Sequence, residues 1–329
     1  MSPPVGGASI PPGALRLGAA AALRLARASR GMTAPNPPVG CAAFDRQGRL
    51  LAVARHDGPG QAHAEAAALE ACRRSGDLAA VHTLFVTLEP CNHHGRTPPC
   101  AEAVIGAQVT EVVIGACDPN PAVRGGGAAR LAMAGVRVRH LSAFMEPDIK
   151  ALGPECEALI APFAKHAVHG LPWVLVKQAL DLSGSMIPPL GSKTFTDPES
   201  IRLAHRLRRE SDAIITGVGT VLADQPLFTV RAVDDFEGKI RWLGILDRTG
   251  RTPAAYLTAA RERGVEPICG SDFTAMVRDL GRRGALQVLV EAGPTISEHV
   301  LESGFWDEHV VIRRSTAGDV VERRRRKEH

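Results

Sequence analysis

The stretch EPCNHHGRTPPC, residues 89–100, carries two cysteines with eight residues between them, and QAHAEAAALE precedes it at 61–70. Those residue types at that spacing can hold a metal. Zinc prefers imidazole nitrogen and thiolate sulfur, and a catalytic zinc keeps three protein ligands plus one open position. His63, Cys91 and Cys100 supply the three. Glu65 lies two residues beyond His63 at the start of a helix, where a carboxylate can face the same cavity without binding the ion. The metal would bring the pKa of a water from about 15.7 towards ~7. The carboxylate would carry a proton from that water to a leaving amine. The chemistry implied is hydrolytic deamination at an amidine-like ring carbon.

Taken singly, each cysteine reads as a small buried hydrophobe; the combination with His63-Ala-Glu65 is what makes a metal site. Cys41, Cys72, Cys117, Cys156 and Cys269 have no such company and are assigned no chemistry. Zinc deaminases share an H-x-E…P-C-x-x-C pattern. This chain has His63-Ala-Glu65 and Pro90-Cys91, but its second cysteine comes later. The wider gap resembles the PCxHxGxTPPC form of the riboflavin-pathway deaminases. TAPNPPVGC (33–41) and DPNPAVRGGG (118–127) are similar to further segments of that family. The resemblance implies a cytidine-deaminase-like three-layer domain, and a contact from Asn36 to a pyrimidine ring; a turn between prolines is the other reading of Asn36. Of His93 and His94, one is assigned to substrate and the other to solvent.

Elements must position these groups. ALRLGAAAALRLARAS (14–29) predicts a helix of strong helix formers. PVGCAAFDRQGRLLAVAR predicts two strands joined at a Gln-Gly turn, and HAEAAALEACRRSG a helix ending on Gly76. VHTLFVTL reads as a buried strand, followed by AEAVIGA (helix), VTEVVIGA (strand), GAARLAMAG (helix) and VRVRHL (strand). Alternation with short connections predicts an α/β layer structure with largely parallel strands. The pattern resumes with strands WVLVKQAL, DAIITGV, IRWLGIL and LQVLVEAG, and helices DPESIRLAHRLRRES, TAMVRDLGRRG and PTISEHVLESG. The expected organisation is a disordered 1–13, a deaminase domain at 14–145, and a linker with a bridging helix at 146–172. A reductase-like domain at 173–314 and a solvated basic tail at 315–329 complete it.

From about residue 14 to 312 the chain resembles the bifunctional riboflavin-biosynthesis deaminase–reductases, whose second domain is dihydrofolate-reductase-like and uses NADPH. The matching segments are VKQALDLSG, LRRESDAIITGVGTVLADQPLFTVR, LGILDRTGRTP and VLVEAGPT. The resemblance implies a phosphoribosyl pyrimidine substrate held by Ser192, Arg208, Phe228, Arg231 and Glu291. It implies NADPH contacts at Ala179, Thr194, Thr220, Asp224 and Gly293. Arginines suit a ribose phosphate through charge-assisted bonds, and a glycine ahead of a helix lets backbone N–H groups approach a phosphate. Three departures stand out. The family's SLDG is DLSG, putting Ser183 where aspartate is usual, and Thr194 replaces an aromatic. After EHVVIRR the family adds further strands, where this chain reads STAGDVVERRRRKEH. The departures predict a truncated second domain with an unpaired sheet edge and a weak reductase.

Composition narrows the alternatives. A net charge of +4 and 4% aromatics, with Tyr256 the single tyrosine, make a nucleic-acid surface hard to build. That places a tRNA or nucleoside deaminase with a fused domain behind the leading reading; a deaminase with a non-catalytic scaffolding second domain stands as the other alternative, which composition does not decide. Seven cysteines, an odd number in a long chain, argue against a disulfide framework and for a reducing cytoplasm. No apolar run reaches membrane-spanning length. The expectation is a cytoplasmic homodimer or tetramer, using zinc and NADPH on a small molecule, with no nucleic-acid or membrane partner.

Overall fold

The computed structural model describes residues 9–92, 98–121, 123–187 and 194–326. The chain divides into two compact units after Val168. The first contains α1 (Pro12–Ala28), β1 (Gly40–Phe44), β2 (Leu50–Arg55), α2 (Ala64–Ser75), β3 (Thr83–Leu88) and α3 (Cys100–Gly106). β4 (Glu111–Ala116), α4 (Gly126–Met133), β5 (Arg137–His140), α5 (Pro147–Lys150) and α6 (Leu152–His169) follow. Its sheet runs β2-β1-β3-β4-β5. β1 is antiparallel to β2 and β3, while β3, β4 and β5 are parallel.

Side chains alternate across a strand, so each strand feeds two cores. Ala42, Phe44, Phe85 and Val113 pack with α1, α5 and α6. Cys41, Ala43, Leu84, Val86, Val112 and Ile114 pack with α2, α3 and α4. Three layers result, as expected. The segment expected to link the domains belongs instead to the first core. Ile149, Leu152, Cys156, Leu159 and Ile160 are buried there at helical spacing. Its prolines disguised it: Pro147 occupies the first turn of α5, and Pro154 sits in the first turn of α6. There a missing N–H leaves no hydrogen bond unmade.

The second unit holds β6 (Trp173–Leu180), α7 (Pro198–Glu210), β7 (Ala213–Gly217), α8 (Val218–Asp224), β8 (Arg241–Leu246) and α9 (Ala254–Glu262). It continues with β9 (Val265–Gly270), α10 (Phe273–Arg282), β10 (Gln287–Val290), α11 (Pro294–Ser303), β11 (Glu308–Ser315) and β12 (Gly318–Arg325). The order is β12-β11-β6-β10-β7-β8-β9, parallel except for β12. One core holds residues of α7, α8 and α9, the other residues of α10 and α11. Asp197 caps α7 by accepting from Ser200 N–H at 2.8 Å.

Much of the expected basic tail is a strand. A two-residue turn returns the chain so that Ser315 pairs with Gly318 and Glu308 with Arg325. Charge complementarity closes it: Arg323 and Arg325 meet Glu308, and Arg314 meets Asp319. The arginine run hid a strand, because Arg323 and Arg325 answer Glu308 on β11. No helix among the described residues is long and apolar enough to cross a membrane.

Candidate active site

The metal-ligand set comes from the N-cap of α2, the segment just past β3 and the first residue of α3. His63 is the N-cap of α2, yet its side chain caps nothing there; its ring turns to the cysteines. Its Nδ1 lies 3.6 Å from Cys91 Sγ and 3.2 Å from Cys100 Sγ. The Cys100 N–H, at the start of α3, donates to Cys91 Sγ at 3.3 Å. The three ligand atoms lie within 4.8 Å of one another. Bond lengths of about 2.3 Å to sulfur and 2.0–2.1 Å to nitrogen put two ligands of one tetrahedral zinc roughly 3.5 Å apart. The residues fit zinc. The Cys91 thiol is held down to about 4 by the Cys100 hydrogen bond and the His63 ring, while Cys100 is pushed up as the partner that keeps the proton.

Glu65 is 3% exposed and lines the same cavity of about 260 Å³ as His63 and Cys91. Burial raises its carboxyl to about 7. A carboxyl at that value can both take and give a proton near neutrality.

Asn36 also lines this cavity. Its Nδ2 lies 3.2 Å from His56 Nε2, and His56 Nδ1 lies 3.1 Å from Ala62 O. A carbonyl can only accept, so Nδ1 carries the proton and Nε2 accepts from the Asn36 amide. Burial lowers the His56 pKa, in keeping with a neutral ring. This fixes which way the Asn36 carboxamide faces. His56 was missed in the sequence because an isolated histidine after a strand carries no spacing signal. Glu89 was missed too. Its carboxylate accepts from Asp118 N–H (3.2 Å), Gly125 N–H (3.1 Å) and Ala128 N–H (3.1 Å), tying the strand end before Cys91 to the start of α4. Asp118 and Asn120, within the DPNP segment noted in the sequence, line the cavity as well. His93 and His94 lie outside the described residues.

In the second unit the expected residues are partly united. Glu291, just past β10, accepts from Arg208 Nε at 2.7 Å and Arg208 Nη2 at 2.8 Å, and pairs with Lys177 Nζ at 2.9 Å. The carboxyl is held far below its usual range: the two cations outweigh a burial penalty that acts the other way. Lys177 was not singled out in the sequence, although it lies within the quoted VKQALDLSG. Arg208 was expected on a phosphate; here its fork is spent on Glu291 and Thr229 O. Phe228, expected on substrate, is 2% exposed and packs in a core, so its side chain is a support. Arg231 is exposed, and its N–H donates to His205 Nδ1 at 2.8 Å.

Thr220 Oγ1 accepts from Gly293 N–H at 3.2 Å, joining the β7–α8 and β10–α11 turns. A Cβ on Gly217 would lie 2.3 Å from Ile296 Cδ1, so the Ile296 side chain packs directly over this glycine. Neither α8 nor α11 has a side-chain cap, which suits a phosphate at the α11 N-terminus and fits a dinucleotide. Ala179 is half-buried in β6, Asp224 is exposed at the end of α8, and Thr194 is exposed with its Oγ1 2.9 Å from that of Thr196. Ser192 lies outside the described residues. The DLSG departure preserves a pair in reverse order: Ser183 Oγ donates to Asp181 Oδ1 at 2.7 Å.

Comparison with known proteins agrees with both halves. Residues 17–116 match the model of the cytidine and deoxycytidylate deaminase zinc-binding region. Residues 172–316 match that of the RibD C-terminal domain. The riboflavin biosynthesis protein RibD of Aquifex aeolicus is 34% identical, the match covering 88% of this chain and 84% of the relative. That of Mycobacterium tuberculosis H37Rv is 38% identical over 84% of this chain and 77% of the relative. The structure of Acinetobacter baumannii RibD matches with a TM-score of 0.78 at 32% identity, over 92% of this chain and 87% of that one. A Thermotoga maritima diaminohydroxyphosphoribosylaminopyrimidine deaminase/5-amino-6-(5-phosphoribosylamino)uracil reductase gives 0.79 at 29% identity, over 92% and 86%. With the ligand set in its first unit and relatives this similar along most of its length, the chain belongs to the RibD family of riboflavin biosynthesis proteins.

Proposed function

We propose that the first unit deaminates 2,5-diamino-6-(5-phosphoribosylamino)pyrimidin-4-one and that the second reduces the product's ribose to a ribityl chain with NADPH. The observation that carries the first half is the buried Glu65 lining the same cavity as the ligands His63 and Cys91. His63, Cys91 and Cys100 would hold the zinc, which would supply a Lewis acid able to lower the pKa of a water. Glu65 accepts the proton of the attacking water and delivers it to the amine, which leaves as ammonia. Asn36, its amide turned by His56, presents its carboxamide to the pyrimidine edge. Glu89 holds the strand end that carries Cys91.

For the second half, NADPH supplies the hydride. Gly293 and Thr220 shape the turns where its phosphates would lie, with Ala179, Thr194 and Asp224 as further contacts. Glu291 fixes Lys177 and Arg208 at the strand ends, and Arg231 with Ser192 is proposed for the substrate's ribose phosphate. None of the seven cysteines is in a disulfide, which suits a reducing cytoplasm. One preparation, given the diaminopyrimidine and NADPH, is expected to release ammonia and then oxidise NADPH. Ammonia released from RNA and not from this pyrimidine would replace the reading with a nucleic-acid deaminase.

A further inference from the structure

The apolar stripe of α6 runs Leu152, Cys156, Leu159, Ile160 and then Phe163. The first four are buried in the core beneath the sheet. Phe163 continues their helical spacing but stands past that core, half-buried, and lines the deaminase cavity. Among the described lining residues it is the one phenyl, indole or phenol ring. In a chain with only 4% aromatics, a ring on the wall of the cavity that holds two of the metal ligands, instead of deeper in the core, needs an account.

The local backbone supports the placement. Pro162 has no N–H, so the carbonyl of Ala158, four residues earlier, loses its helical donor. Arg30 Nη2 takes that carbonyl at 3.1 Å. The turn of α6 that carries Phe163 is thereby tied to the segment that leads into Asn36. Val39, also in the lining, packs against the same core.

We propose that Phe163 is a substrate-binding residue of the deaminase, its ring stacking on the face of the pyrimidine while Asn36 meets its edge. This rests on the deaminase reading above. Stacking acts on the bound ring whether or not the amine is leaving, so it strengthens ground state and transition state alike and appears in KM more than in kcat.

The test uses the full-length zinc protein. Phe163→Ala is expected to raise KM for deamination about tenfold to a hundredfold, the range for losing one base–aromatic stack, with kcat held within about twofold. Phe163→Tyr should restore KM; Phe163→Leu, which keeps an apolar wall without a π-face, should not. The dissociation constant of the same pyrimidine, measured by calorimetry in a Glu65→Gln background, should weaken in parallel for Ala and Leu. That binding measurement separates this inference from the reading it rests on: a parent that binds the pyrimidine without releasing ammonia sinks the deaminase reading alone. Unchanged KM and affinity in Phe163→Ala, or full recovery in Phe163→Leu, would overturn the stacking role and leave Phe163 a packing residue.

Discussion

Glu65 in the first unit and Glu291 in the second are both withdrawn from water, and their carboxyls are driven in opposite directions. Burial, helped by the neighbouring Cys91 thiolate and opposed by His63, lifts Glu65 to about 7. Glu291 is also largely withdrawn, with 12% of its side chain exposed, yet Lys177 and Arg208 hold it ionised. Glu65 stands in the first turn of α2 and Glu291 just past β10; the neighbours decide what each can do. A carboxyl poised near neutrality can move protons. One locked as an anion cannot, and serves to fix the cations around it. The first site is therefore built for proton transfer and the second for holding charge in place.

The comparison can be broken most sharply at the metal. The protein is expected to carry about one zinc per chain by atomic absorption, and both chelation and Cys91→Ser should abolish ammonia release. NADPH oxidation on the reductase substrate should persist. Full zinc and activity in Cys91→Ser would remove Cys91 from the ligand set. Next in size, Glu65→Gln should keep zinc while slowing deamination by roughly 10² to 10⁴, the span for a lost general acid–base. A near-parental rate would assign the proton to another group.

The smallest effect falls on the second glutamate and is read as stability. Glu291→Gln leaves Lys177 and Arg208 without their anion, and removing one partner of a buried pair typically costs about 3–5 kcal/mol. Denaturation of the second unit should report it. Because the folded pKa of Glu291 lies below its unfolded value, its contribution is present above that value and is lost as pH falls through the folded one. The parent should weaken below about pH 4.5 by a slope that Glu291→Gln lacks. Parallel pH profiles for the two proteins would show that the ion pair carries no net stability.

Legibility in the sequence followed the same divide. His63, Glu65, Cys91 and Cys100 could be read because a metal imposes residue types and spacings on the chain itself. His56 and Glu89 could not, since their partners are a side chain and backbone N–H groups brought near by folding. Lys177 was hidden for a like reason: its anion lies on another strand's end, far along the chain. Layers and most strands followed from periodicity, whereas α6 was obscured by prolines and β12 by its arginines. Apart from Pro162, whose missing N–H is answered by Arg30 at the Ala158 carbonyl, a residue type that usually marks loops stands in both cases where its usual objection does not apply. Pro154 falls where no N–H is needed, and Arg323 and Arg325 face Glu308 across the strand pair.

Gly127, in the first turn of α4, lies so close to the end of β3 that a Cβ there would fall 1.8 Å from the Pro90 carbonyl oxygen. That contact is backbone against hydrogen, with no flexible side chain to absorb a change. Any larger residue at 127 must push the helix and strand apart, and the next residue along the strand end is Cys91. The metal site thus has a mechanical stop on its far side, set by an atom that is missing. Its tolerance to mutation is governed as much by that glycine as by the thiols, even though the glycine belongs to a different helix and makes no bond to the ion.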